Sequence, residues 1–313
     1  MAWRGSGRAS PAAIQNHSQR RSSGMDFEWR GLGPQELEHH YNPRASIGQK
    51  RVESYLARFQ SQSAEARRQI QGDYDLRYGP APLQTFDLHK PAGKPPFPTL
   101  IFIHGGFWRS LDKSDHSFVA PPLVAAGVAV VNLNYDLCPK VTLDDIVREA
   151  REALLYLWRN GEASGLDRTR LHISGHSAGA HLCGMLLNHD WRAAGLPEKP
   201  VASAICSSGI YEPEPVIGTT VNNDLRLTLD MARRNDCVAR PPRYDLPLTI
   251  IVGGAEPAGW IAQSERYHEA CRSAGVGLAS LHVVAGANHL NLLHAAAADR
   301  ALAAHVLAQL RAG

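Results

Sequence analysis

The 313-residue sequence predicts an α/β fold: a mostly parallel, doubly wound sheet with helices on both faces and a short cap insertion. Three observations carry this. Short apolar runs, such as residues 99–103, 128–135 and 248–252, have the length and composition of buried strands. Segments with helical spacing alternate with them, which calls for right-handed crossovers and parallel pairing. Residues 170–187 set a turn, Gly175-His176-Ser177-Ala178-Gly179, between an apolar strand and a small-residue helix.

Composition sets the broad class. Hydrophobic residues make up 44% and charged residues 20%, as in ordinary globular proteins. The net charge of +3 comes from the first 24 residues, which carry Arg4, Arg8, Arg20 and Arg21 and no acid; the remainder holds 29 basic and 30 acidic residues. No basic footprint for nucleic acid is left on the body. Cys138, Cys183, Cys206, Cys237 and Cys271 are scattered without a C-x-x-C pair, which argues against a disulfide framework or structural zinc and for a reducing, cytoplasmic setting. No apolar run approaches a membrane span, and no secretory apolar core opens the chain. The expected partner is a small molecule, with no nucleic acid, membrane, metal or cofactor. A homodimer is compatible with the sequence.

Residues 1–24, rich in Ser, Gly, Ala and Arg, read as a disordered tail. An organelle transit peptide is one reading of such a start. A start set upstream of the true initiator Met25 is preferred, because the tail carries proline and shows no amphipathic stripe. Residues 25–82 form an N-terminal helical lead-in, with Val52, Tyr55, Leu56 and Phe59 at helical spacing. Residues 83–313 form the main domain. A strand at 83–88 and a proline-rich loop at 91–98 precede the buried strand 99–103. A helix near 118–126 leads to the strand 128–135. Leu143, Ile146, Val147, Ala150, Ala153, Leu154, Leu157 and Trp158 then line one face of an amphipathic helix. A strand near 201–207 follows the glycine-flanked turn and its helix. Residues 210–243, with four prolines and an Asn-Asn pair, break the rhythm and read as the cap. Strand 248–252, a helix over about 260–273, strand 281–284 and a final Ala/Leu-rich helix from Leu290 complete the chain.

The turn at 175–179 matches G-x-S-x-G. Two glycines let strand and helix crowd together, so Ser177 can adopt a strained turn with its hydroxyl presented. The Ala178 N–H then opens a helix, where unpaired donors favour a developing negative charge. A serine nucleophile needs a base and an orienting acid behind it. Reactive groups of such sheets gather at the carboxyl ends of strands. Of 15 histidines, His289 is the candidate base: it follows strand 281–284 and precedes the last helix. His282 lies inside that strand and competes poorly. His39, His40, His116, His189, His268 and His305 read mostly as surface or packing residues, and His104, His172 and His176 as structural. Glu256 is the candidate acid, reached from strand 248–252 through Gly253-Gly254-Ala255, whereas Asp245 precedes the same strand. The adjacent glycines of His104-Gly105-Gly106-Phe107 can turn N–H groups toward the elbow. The expected oxyanion hole is Gly105, Gly106, Phe107 and Ala178.

These strings resemble a known family. Residues 83–313 are similar to the α/β-hydrolases, and most to the serine-type kynurenine formamidases, relatives of the hormone-sensitive-lipase-like esterases. The resemblance rests on Tyr41-Asn42-Pro43-Arg44, His104-Gly105-Gly106-Phe107-Trp108, Asn134-Tyr135-Asp136-Leu137-Cys138-Pro139, the elbow through Leu182, Ser208-Gly209-Ile210-Tyr211, and the loops at Glu256 and Asn288-His289. It implies an α/β-hydrolase fold and cleavage of N-formylkynurenine to kynurenine and formate, a step of tryptophan catabolism, without metal. Glu256 departs from the aspartate usual there, and Asn288 from a common acidic residue. Phe107, Trp108, Tyr211 and Trp260 are the candidate substrate-binding aromatics. One of Arg226, Arg233 or Arg243 could meet a substrate carboxylate. Two other functions stay open: a general carboxylesterase of small aryl or alkyl esters, and a hydrolase fold that has lost catalysis and binds a ligand.

Overall fold

The computed structural model describes residues 27–312. The expected tail over residues 1–24 lies outside them. The chain enters through three helices, α1 (Pro34–Tyr41), α2 (Pro43–Ile47) and α3 (Gln49–Gln69). It continues through β1 (Gly72–Arg77), β2 (Thr85–His89), β3 (Phe97–Ile103), α4 (Ala120–Ala125), β4 (Ala129–Leu133), α5 (Leu143–Asn160), β5 (Leu166–His176) and α6 (Ala178–Leu187). After β6 (Ser203–Ser207) come α7 (Asn222–Leu225), α8 (Leu229–Arg234), β7 (Leu248–Gly253), α9 (Ala258–Ser273), β8 (Ala279–Val284), α10 (Leu292–Ala298) and α11 (Arg300–Arg311).

The strands form one mixed sheet in the order β1-β2-β4-β3-β5-β6-β7-β8. β1 and β2 run antiparallel to their neighbours, and β3 through β8 are mutually parallel. The α/β class predicted from alternating runs is the class observed. Apolar residues of α5, α6 and α9 form one core cluster with the sheet, while α4, α10 and α11 contribute to a second. The central parallel strands β3, β4, β6 and β7 are therefore covered on both sides, which is why they read as near-continuous apolar runs rather than alternating, whereas edge strand β8 leaves Val283 exposed. Helix α5 shows how local signals set an element. Thr142 Oγ1 accepts from the Asp145 N–H (3.2 Å), and the Asp145 carboxylate accepts from the Thr142 N–H (3.0 Å). Its buried side is the predicted stripe from Leu143 to Leu157.

Two elements differ from expectation. β1 is an additional edge strand at Gly72–Arg77. Its mostly polar sequence and a register shift between Asp73 and Leu76, with Asp75 at φ +55°, hide the two-residue period. The last helix is two, because the Asp299 carboxylate caps the N–H groups of Ala301 (3.0 Å) and Leu302 (3.1 Å) and starts α11 afresh.

The N-terminal helices pack onto this sheet. Arg67 of α3 pairs with buried Asp87 of β2 at 2.9 Å. Glu38 of α1 accepts from the backbone N–H (2.8 Å) and hydroxyl (2.7 Å) of Thr220, within the 210–243 segment between β6 and β7. β3 lies between β4 and β5, so the loops leaving β3 and β5 diverge there and open a crevice at the strands' carboxyl ends.

Candidate active site

The crevice is built on the turn between β5 and α6. Ser177 adopts φ +57° and ψ −118°, a conformation L-residues avoid unless their surroundings impose it. The two flanking glycines impose it. A Cβ on Gly175 would stand 2.3 Å from the Gly179 carbonyl carbon, and one on Gly179 would stand 2.0 Å from the Ile103 oxygen. Any side chain at either position would drive helix and strands apart.

The loop after β3 faces this turn. Gly106 (φ +109°), Phe107 (φ +53°) and Trp108 (φ +54°) are all left-handed. Gly105 lies so near the elbow that a Cβ there would come 3.1 Å from the Ser177 Cβ. Among the described residues, no acceptor takes the N–H of Gly106, Phe107 or Ala178. Three backbone donors of the loop and the elbow are thus left without a protein acceptor. His104 anchors the loop from below. It is fully buried, stacks on Tyr135 at 4.4 Å, and places Nε2 2.9 Å from Asn134 Oδ1 and Nδ1 2.7 Å from the Gly105 oxygen. The Tyr135 hydroxyl donates to the His104 carbonyl at 2.9 Å.

Glu256 and His289 come together as the strand-end argument predicted. The His289 Nδ1–H donates to Glu256 Oε2 at 2.7 Å. Glu256 is fully buried in its side chain, and Oε1 also accepts from the Gly253 N–H at 2.8 Å. The glutamate's extra methylene is accommodated by this fold-back onto its own turn. Gly253 lets the two loops touch, since a Cβ there would stand 2.3 Å from the Ala287 oxygen. The His289 backbone is held by His176, whose Nε2–H donates to the His289 carbonyl at 2.9 Å. Burial, with His289 and His116 nearby, holds His176 well below the ordinary histidine range, so it stays neutral. The Trp260 ring lies 4.2 Å from that of His289 and backs it. Asp245 precedes β7, at the opposite end of the sheet from this cluster.

A second serine belongs to the cluster. The Ser208 hydroxyl, fully buried after β6, donates to the Glu256 carboxylate and lies 3.1 Å from His289 Nδ1. Glu256 and His289 thus form the carboxylate–imidazole pair of a serine hydrolase, with the Ser208 hydroxyl added to it on the Nδ1 side of the ring. The only sequence signal was the Ser208-Gly209 turn: Gly209 leaves room for Tyr211, whose ring would lie 2.5 Å from a Cβ there.

Ser177 and His289 share a cavity of ≈ 50 Å³ with Gly106, Phe107, His116 and His176 on its sheet side. Its other wall is Pro43 and Arg44 of α2 and Val52, Leu56 and Phe59 of α3. The lead-in thus closes over the crevice. It also reaches the residue before the base, as Asn288 Nδ2 donates to the Tyr55 hydroxyl at 3.0 Å. His116 packs fully buried among aromatic rings at the cavity wall, and burial pushes its pKa down to about 3. Of the four expected substrate-binding aromatics, only Phe107 lines this cavity. Trp108, Tyr211 and Trp260 are fully buried in the core: Trp108 lies edge-on to His181, and Tyr211 stacks on Tyr267. Their large apolar area fills the space behind the two loops instead of facing the crevice. Arg226, Arg233 and Arg243 are exposed and lie off the cavity. Among the described residues no group of His, Cys, Asp and Glu is placed to hold a metal ion, and no helix is long and apolar enough to cross a membrane.

Comparison with known proteins agrees with this geometry. The BD-FAE family matches residues 86–191, from β2 through the elbow helix. The chain is 30% identical over 282 residues to a kynurenine formamidase of Danio rerio, covering 85% of this chain and 92% of that protein. It is 29% identical over 277 residues to a kynurenine formamidase of Salmo salar, with the same coverage of 85% and 92%. Among solved structures, a candidate thioesterase from Silicibacter sp. TM1040 superposes with a TM-score of 0.73 at 27% identity, over 86% of this chain and 98% of that one.

Proposed function

We propose, from the premise that this chain belongs to the kynurenine formamidase family of the α/β-hydrolases and carries a serine-hydrolase site, that it cleaves N-formylkynurenine to kynurenine and formate. Ser177 is the nucleophile. It lines the cavity, whereas the Ser208 hydroxyl is sealed in the protein and occupied by Glu256. His289 uses Nδ1 for Glu256, which leaves Nε2 to take the Ser177 proton. The Ser177 oxygen attacks the formyl carbon. The N–H groups of Gly106, Phe107 and Ala178 hold the resulting oxyanion, with Gly105 as the close-packed neighbour. The His289 imidazolium then protonates the departing arylamine, a weakly basic leaving group. Water, deprotonated by His289, releases formate from the formyl-serine. Kinship with the hormone-sensitive-lipase-like esterases is part of this reading and rests on the His104-Gly105-Gly106 turn.

The observation that carries the reading is Phe107. It lines the cavity beside Gly106 and Ser177, where an aromatic residue leaves less room for an acyl group than a glycine would. Formyl is the smallest acyl group, and each added methylene must displace packed atoms. The test is an acyl series on one aryl leaving group, run beside N-formylkynurenine. The expected result is kcat/KM falling from formyl to butyryl, with N-formylkynurenine turned over faster than a short aryl acetate. Glu256→Gln lowers kcat about a hundredfold or more, because it orients His289 and stabilises the imidazolium. Rates that rise toward butyryl, with N-formylkynurenine untouched, would assign the protein to the general carboxylesterases.

A further inference from the structure

We propose that Arg44 binds the carboxylate of an anionic substrate at the mouth of the catalytic cavity, so that the site selects formylated aromatic acids over their neutral analogues. The inference rests on reading this cavity as the hydrolytic site. Arg44 opens α2 and lines the cavity that holds Ser177, His289 and Phe107. Arg109, from the loop after β3, lines it too. The two cations are treated differently by the fold. Arg109 is ion-paired with Asp224. Arg44 has no carboxylate partner among the described residues. The nearby acid Glu38 is already engaged by Thr220 and by Asn42, whose side chain bonds it at 2.7 Å. Desolvation against the cavity wall and the Arg109 charge both act against the Arg44 cation, although the residue as a whole stays exposed.

An unpaired guanidinium sharing a cavity wall with a second cation carries a charge that nothing in the protein balances. A visiting anion supplies that balance. The guanidinium fork also matches a carboxylate in a bidentate geometry that a lysine cannot reproduce. The position is well held: Asn42 Oδ1 accepts from the Arg44 backbone N–H at 3.1 Å, and Asn42 is itself tied to Glu38. The sequence candidates do not meet these conditions. Arg243, for one, lies off the cavity and faces Asp190 at 3.7 Å.

The experiment compares wild type, Arg44→Met and Arg44→Lys on two matched pairs. N-formylkynurenine is set against formanilide, and 4-formyloxybenzoate against phenyl formate. Arg44→Met should raise KM for both carboxylated substrates by roughly 10- to 100-fold, the range of a lost charged hydrogen bond. It should change kcat and the neutral substrates less than about twofold. Arg44→Lys should recover part of the loss. Equal effects on charged and neutral partners, or no effect on either, would overturn the proposal. Turnover of the neutral formates serves as the check that the variants are folded. The two proposals fail separately. If no variant cleaves N-formylkynurenine but Arg44→Met still loses 4-formyloxybenzoate selectively, the formamidase reading falls and Arg44 stands. If N-formylkynurenine is cleaved with an unchanged KM in Arg44→Met, Arg44 falls and the formamidase reading stands.

Discussion

The Ser208 hydroxyl donates to the carboxylate of Glu256, 2.6 Å from Oε2 and 2.8 Å from Oε1. Ser208 is itself left-handed, at φ +50°, and its N–H is held by the Ile251 carbonyl at 2.7 Å. A hydroxyl fixed in this way holds the buried carboxylate aimed at the imidazole. Ser208 is thus a positioning residue for His289.

The two serines are therefore separable by mutation. Ser208→Ala should lower kcat about tenfold with little change in KM, since Glu256 keeps the Gly253 N–H and His289. Ser177→Ala should remove nearly all hydrolysis. A fluorophosphonate probe should label wild type and Ser208→Ala at Ser177 and leave Ser177→Ala unlabelled. Labelling at Ser208 in the wild-type protein would reverse the assignment.

The elbow glycines make a sharper structural prediction. In Gly179→Ala the new Cβ meets the Ile103 oxygen at 2.0 Å, a backbone atom in the middle of the sheet that cannot swing away. The expected loss is about 3 kcal/mol, at the upper end of overpacking. Chemical denaturation measures it. Gly127→Ala is the comparison: that glycine has φ +87° but nothing within 4 Å of its Cβ position, so only conformational strain remains and the loss should be smaller. Equal losses in the two variants would mean that the close approach of α6 to β3 contributes little.

Acid should destabilise the fold before its carboxylates titrate. Burial pushes the His116 pKa down to about 3 and those of His172 and His181 down to about 4. In the unfolded chain each returns to about 6.5. Below that pH the unfolded state binds more protons than the folded one, so stability drops as pH falls. The contribution of neutral burial is intact above about pH 6.5 and is lost progressively toward pH 4, by up to about 1.4 kcal/mol per pH unit for each group. Urea midpoints measured from about pH 7.5 to about pH 5 should be level at first and then decline. A midpoint that holds level to about pH 5 would mean these imidazoles accept protons in the folded state.

Much of the framework was legible because its signals are local. The helix expected after the elbow is α6, since glycine spacing and a mostly small or apolar sequence suit burial against the strands. The strand-end rule placed Glu256 and His289 together from nothing but their position after β7 and β8. Polar β1 was not legible: its alternation is broken by a bulge, and its place in the sheet comes from pairing with β2.

By itself, the sequence determined the order of buried strands and helices, the glycine-flanked elbow, and the double-glycine loop that faces it. Each is written in periodicity, chain length or a missing side chain, within a few residues of where it acts. Only the tertiary structure decided what surrounds them. Ser208 joins a carboxylate 48 residues away, and Tyr55 meets Asn288 across 233 residues. The N-terminal helices, polar by composition, become the outer wall of the cavity and bring Arg44 to its mouth. Three of the four aromatics that looked available for a ligand are buried behind the loops instead. Such outcomes depend on which distant surfaces meet when apolar area leaves water. That is settled by the packing of the whole chain, and no local pattern encodes it.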